Sequence, residues 1–144
     1  MIEKGQFVVA RKGDGGPNAE GNAATPSAIA ADEQGNVFVA GTAAFRIAGQ
    51  DAKTVAGQKV GAYASYEGFL LIVSPDFTQR LSWTSFSAGG ASDGRAVAAS
   101  GSTAVYAAAV GSDQAGKGSL ITASAISSKP LGGDDGYLVV MPGP

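Results

Sequence analysis

Short apolar runs separated by Gly, Asp, Ser and Asn recur along the whole chain. They read QFVVA (6–10), SAIAA (27–31), NVFVAG (36–41), FRIAG (45–49), GAYASY (61–66), GFLLIVS (68–74), RLSWTSF (80–86), RAVAAS (95–100), AVYAAAV (104–110), SLITASAI (119–126) and GYLVVM (136–141). Their length and their β-branched and aromatic content predict strands. VFV and RLSWTSF alternate large with small or polar residues, as a strand with one buried face does. GFLLIVS is apolar on both faces, which predicts a strand covered on both sides. A helix is the weaker reading of the Ala-rich stretch 96–110. Gly101, Ser102 and Thr103 interrupt it, and it has neither caps nor charged i,i+4 pairs.

Two phrases occur twice. SAIAADEQGNVFVAG begins at Ser27 and RAVAASGSTAVYAAA at Arg95; EGFLLIVSPD begins at Glu67 and DGYLVVMPGP at Asp135. Both pairs of starts lie 68 residues apart, and a common offset for two separated blocks is the mark of an internal repeat. The chain divides into a partial first unit (1–26, where GQFVVAR resembles the GFLLIVS strand), repeat 1 (27–94) and an incomplete repeat 2 (95–144), all within one domain. Each unit offers strands a (27–31), b (36–41), c (68–74) and d (80–86). DEQGN between a and b, and SPDFTQ between c and d, are tight turns by composition. The b–c inserts (42–66 and 111–134) are long. An antiparallel meander brings b–c and d–a to one end and the tight turns to the other.

Composition sharpens this. Charged residues are 15% of the chain, against roughly 25% in an average soluble domain, and 22 of 144 residues are Gly, well above the usual ~7%. The net charge of −2 and pI near 4.9 argue against nucleic acid, whose phosphates call for a basic face. No cysteine and no histidine are present. Disulfides, thiolate metal sites, Cys nucleophiles, a Ser-His-Asp triad and His-ligated metals therefore cannot be built from this chain. No apolar run reaches the ~18 residues of a membrane span, and MIEKGQFVVARKG has no signal-peptide apolar region.

These motifs resemble a known family. SAIAADEQGNVFVAGT is similar to the "AIAVD-x-x-GNVYVAGT" core of bacterial β-propeller repeats of the SBBP and NHL types. EGFLLIVSPD, then LSWTSFSAGG and DGRAVAAS, resembles the SBBP order of a "DGFVAKLDPSG" strand, a "W-S-T-Y-LGG" strand and "GRAIAVD". GDGGPNAEGNAATPSAIAAD is similar to the NHL lead-in "GDGGPA…PSGIAVD". The similarity covers about residues 5–43, 67–110 and 134–141. It departs in the long b–c inserts and in repeat 2, where Ser100 to Ala104 replace the Asp32 to Asn36 turn. The resemblance implies about two four-stranded antiparallel blades, belonging to a larger propeller or assembly. A duplicated β-sandwich is the alternative fold. It also implies an extracellular or periplasmic bacterial protein.

Candidate sites are few. GDGGPNAEGN (13–22) matches neither a calcium-loop nor a phosphate-loop spacing and reads as a structural turn. Asp93 with Arg95, and Asp134 with Asp135, stand at strand entrances and read as turn caps rather than acid–base pairs. Phe38, Phe69, Trp83, Phe86, Tyr106 and Tyr137 read as core aromatics. The long inserts carry the better candidates for binding a protein partner: Phe45, Arg46, Tyr63, Tyr66 and Lys117. No catalytic, cofactor-binding or metal-binding residue stands out. The expectation is a non-enzymatic structural module that binds a protein partner, other subunits or itself. The alternative is a carbohydrate-binding or carbohydrate-processing propeller fragment on a cell surface.

Overall fold

The computed structural model describes residues 10–11, 21–22, 24–44, 53–55, 58–60, 66–86, 91–111, 120–122, 125–126 and 133–144. The strands among them are β1 (Ala10–Arg11), β2 (Gly21–Asn22), β3 (Ala24–Ala31), β4 (Val37–Ala43), β5 (Lys53–Val55), β6 (Gln58–Val60), β7 (Glu67–Val73), β8 (Arg80–Ser85), β9 (Ser92–Ser100), β10 (Thr103–Val110) and β11 (Asp135–Pro142). No α-helix occurs among the described residues. β3, β4, β7 and β8 form one antiparallel sheet in that order, and β9, β10 and β11 a second. β1 pairs with β2 and β5 with β6 in two small ribbons. The first sheet is the a–b–c–d meander expected of repeat 1. The second holds strands a, b and c of the incomplete repeat 2. β9 begins before Arg95, so the strand crosses the boundary drawn between the repeats. The two stacked sheets are not a closed ring of blades.

The turns follow from local chemistry. Asp32 Oδ1 accepts from the backbone N–H of Gln34 (3.0 Å) and of Asn36 (2.8 Å), and its Oδ2 accepts from Asn36 Nδ2 (2.8 Å). Gly35 takes a φ of +84° there, open to glycine without strain. In the c–d turn, Asp76 accepts from Ser74 Oγ (2.6 Å), Thr78 N–H (3.1 Å) and Thr78 Oγ1 (2.8 Å). The a–b turn of repeat 2 is shorter. Ala31 pairs with Val37 across five residues, whereas Ala99 pairs with Ala104 across four. Strand b of repeat 2 is thereby offset by 67 residues from that of repeat 1, while strands a and c keep 68. Tyr106 is the counterpart of Val39, not of Phe38. Side chains alternate faces with period 2, so that one residue decides which way Tyr106 points.

With this register the two sheets stack in the same sense. The front face of each is the one bearing Leu70 and Ile72, or their counterparts Leu138 and Val140. The front of the first sheet (Phe38, Ala40, Leu70, Ile72, with Phe86) meets the back of the second (Ala104, Tyr106, Ala108, with Val97, Tyr137 and Val139) in one core. The Phe86 and Tyr106 rings stack there with centroids 4.5 Å apart. β7 is buried along its whole length, as its continuous apolar run predicts. Its other face joins Ala43 and packs Phe69, Leu71 and Val73 with Val39 and Trp83.

Sheets ordinarily stack about 10 Å apart, with side chains filling the gap. At one corner two glycines, Gly68 and Gly94, remove that spacer. A Cβ on Gly94 of β9 would lie 2.4 Å from the Gly41 carbonyl oxygen, and a Cβ on Gly68 would lie 2.7 Å from Gly94 N. Ser92 stitches the same corner: its Oγ accepts from Gly68 N–H (2.8 Å), and its N–H donates to the Tyr66 carbonyl (2.8 Å). At the opposite end Glu33 reaches the turn of the second sheet, accepting from Gly101 N–H (2.5 Å) and Ser100 Oγ (3.2 Å). Its own backbone N–H and that of Gly101 hold the Glu33 carboxyl below its ordinary value of 4.5, outweighing burial and the neighbouring Asp32.

Two measurements check this packing. Gly68→Ala drives a methyl into the Gly94 backbone and is expected to cost about 1–3 kcal/mol in urea unfolding, the range of overpacked cores. Gly136→Ala, the same change in repeat 2, meets nothing within 4 Å and is expected to stay within about 0.5 kcal/mol. A depressed carboxyl stabilises the fold above its unfolded pKa, and that contribution is lost as pH falls through the lower folded value. Melting temperature recorded from neutral pH downward should therefore drop below the ordinary carboxyl value of 4.5. Glu33→Gln should flatten that drop, and an unchanged slope would remove Glu33 from the stacking.

Candidate functional site

Because the meander brings the b–c and d–a connections to one end, the starts of β3, β9 and β11 meet the ends of β4 and β10 there. They enclose a cleft of about 490 Å³. β3 contributes Thr25 and Ser27, β4 contributes Thr42, and β9 contributes Ser92, Asp93 and Arg95. Tyr66, just before β7, and Asp134, just before β11, complete the wall. The Asp93 carboxylate accepts a short hydrogen bond from Thr42 Oγ1 and pairs with Arg95 at 2.5 Å. Asp93 therefore ties β9 to β4 across the sheet boundary while leaving the Arg95 side chain largely in solvent. Tyr66 is 56% exposed and lines the same opening.

The chemistry available includes recognition of a polar ligand. Two carboxylates, one guanidinium, four hydroxyl side chains of Thr and Ser, and an aromatic ring can accept from, donate to and stack on a polar ligand. Asp93 is already engaged by Thr42 and Arg95. Among the described residues no group of three or more His, Cys, Asp or Glu side chains is placed to hold a metal ion.

Of the residues expected to bind a partner, Tyr66 lies in the cleft, and Phe45, Arg46, Tyr63 and Lys117 lie outside the described residues. Asp93, Arg95 and Asp134 were legible as residues of strand entrances. Their convergence follows from the shared end of the meander. Thr25, Thr42 and Ser92 carried no signal, because hydroxyl residues at strand ends are ordinary. Most of the 13–22 loop also lies outside the described residues. The aromatics are core, as expected: Phe38, Phe69, Phe86 and Tyr106 are buried.

Tyr106 is the unusual member of that core. Its hydroxyl sits beside Gly68 and Gly94, buried and with no hydrogen-bond partner among the described residues. Burial, helped by the nearby Asp93 carboxylate, pushes its ionisation far above the ordinary value of a phenol. Tyr137, by contrast, donates its hydroxyl to the Leu120 carbonyl at 3.0 Å, and burial raises its pKa to about 12.

Comparison of the chain with protein-family models, with curated proteins and with solved structures finds no match. No helix among the described residues is long and apolar enough to cross a membrane.

The two tyrosines make a matched test. Tyr106→Phe removes an unsatisfied buried hydroxyl and is expected to leave stability unchanged or to raise it by up to about 1 kcal/mol. Tyr137→Phe forfeits a made hydrogen bond and leaves a buried carbonyl short, with an expected loss of about 1 kcal/mol. Urea denaturation of both variants reads the contrast. A Tyr106→Phe loss as large as that of Tyr137→Phe would mean that the Tyr106 hydroxyl has a partner.

Proposed function

We propose that this chain is a non-enzymatic structural module of propeller-like β repeats that binds a protein partner through an open sheet face. One observation carries the reading. Leu138 and Val140, on the front of the second sheet, are 69% and 64% exposed, while their counterparts Leu70 and Ile72 are buried under a neighbouring sheet. Burying two such aliphatic side chains is worth about 1.5–3 kcal/mol each, and apolar patches of this kind mark interaction surfaces. The a–b–c–d order and the same-sense stacking support reading the sheets as blades. Extracellular or periplasmic residence belongs to the same proposal and rests on the repeat motifs.

A second reading, carbohydrate binding, is favoured by the cleft, where Tyr66, Asp93, Arg95 and Asp134 converge. An aromatic ring beside carboxylates and a guanidinium suits a polyhydroxyl ligand.

Paired titrations decide between them. The module reading expects a one-to-one complex with a protein from the native source that is lost in the Leu138→Lys/Val140→Lys double variant and kept in Asp134→Ala. The carbohydrate reading expects calorimetric binding to a glycan panel, lost in Asp134→Ala and kept in the double variant. A complex indifferent to Leu138 and Val140 would sink the module reading as stated.

A further inference from the structure

Resting on the module reading, we propose that the partner of this open face is a second copy of the chain, which packs the exposed back of its strand β3 against it. The open face repeats the occupied one position by position. Ala96 and Ala98 stand for Ala28 and Ala30, Val105 for Phe38, Ala107 for Ala40, and Leu138 and Val140 for Leu70 and Ile72. Gly136 stands for Gly68. In the first sheet Gly68 is required, because the backbone of β9 sits 2.7 Å from where its Cβ would be. In the second sheet nothing lies within 4 Å of the Gly136 position. The apolar front is repeated and its occupant is not; β3 has Pro26 where β9 has Gly94, so the contact between copies is made at side-chain distance.

The occupant is legible from the internal contact. There β9 offers the back of a strand a, with Val97 and Ala99 packed on the front of the first sheet. The counterpart of Val97 in repeat 1 is Ile29, on the back of β3. Ile29 is 72% exposed, and Ala31 beside it is exposed as well. One copy thus carries an uncovered front at Leu138 and Val140 and an uncovered strand-a back at Ile29. The two lie on different surfaces, so the contact is heterologous and head to tail. The internal contact also has the Glu33 pin to Ser100 and Gly101. Repeat 2 has Gly101 where repeat 1 has Glu33, so the contact between copies lacks that carboxylate. It rests on apolar burial and is insensitive to salt.

Light scattering on a size-exclusion column, across concentrations from about 1 μM to about 1 mM, tests it. The wild-type chain is expected to exceed the 14.2 kDa of one copy, with no loss of mass as salt rises. Leu138→Lys/Val140→Lys and Ile29→Lys alter exposed positions and are each expected to weaken association about tenfold or more. An equimolar mixture of the two variants retains one good front and one good back, and is expected to form a dimer and nothing larger. An Ile29→Lys chain that assembles like wild type, or a mixture that stays monomeric, overturns the head-to-tail contact. A wild-type chain that is monomeric throughout, yet forms a Leu138- and Val140-dependent complex with another protein, overturns the second copy as partner and leaves the module reading standing. A monomer with no such complex overturns both.

Discussion

The contact on which the rest of the structure depends is the approach of Gly94 to Gly41 and Gly68. Two twisted sheets held apart by full side chains would meet over a shallow core, and 144 residues with 15% charge have little else to bury. By leaving out the Cβ atoms of Gly68 and Gly94 at one corner, the chain lets β9 lie against the backbones of β4 and β7. Everything beyond that corner then closes at side-chain distance, including the Phe86–Tyr106 stack and the seating of Tyr137 and Val139. The Tyr106 hydroxyl is the cost of this arrangement. It is pressed into the glycine corner, where no described group answers it.

The same corner organises the polar end. Asp93 precedes Gly94, so the backbone that dives into the interface also presents a carboxylate at its rim. That carboxylate is gripped by Thr42 from the first sheet and Arg95 from its own strand. Cleft and core are thus two consequences of one strand crossing. A change at Gly94 is expected to disturb both, whereas a change at Asp134 touches the cleft alone.

Much of the architecture was legible in the sequence, for physical reasons that can be named. DEQGN and SPDFTQ predict tight turns because Asp32 and Asp76 accept hydrogen bonds from the backbone that follows them. GFLLIVS predicts a doubly covered strand because it is apolar in both registers, and β7 is buried throughout. What failed was the alignment of strand b. A constant offset of 68 pairs Tyr106 with Phe38, but repeat 2 makes its a–b turn with one residue fewer. Gly101, with a φ of +55°, closes that tighter hairpin. The glycine corner was hidden for another reason: Gly41, Gly68 and Gly94 are three among 22, and nothing local separates a glycine that touches a second backbone from one that merely turns the chain. The cleft was half legible, through the strand-entrance residues Asp93, Arg95 and Asp134. Its hydroxyl lining was not.

Same-sense stacking, front on back, is the central claim, and one spectrum addresses it directly. In a nuclear Overhauser map of the labelled chain at low concentration, the account predicts cross-peaks from the Phe86 ring to the rings of Tyr106 and Tyr137. The methyls of Leu138 and Val140 should show none to the first sheet. Cross-peaks from Leu138 or Val140 to Phe38, Leu70 or Ile72 would mean that the second sheet is flipped, and would contradict the stacking on which the open face depends.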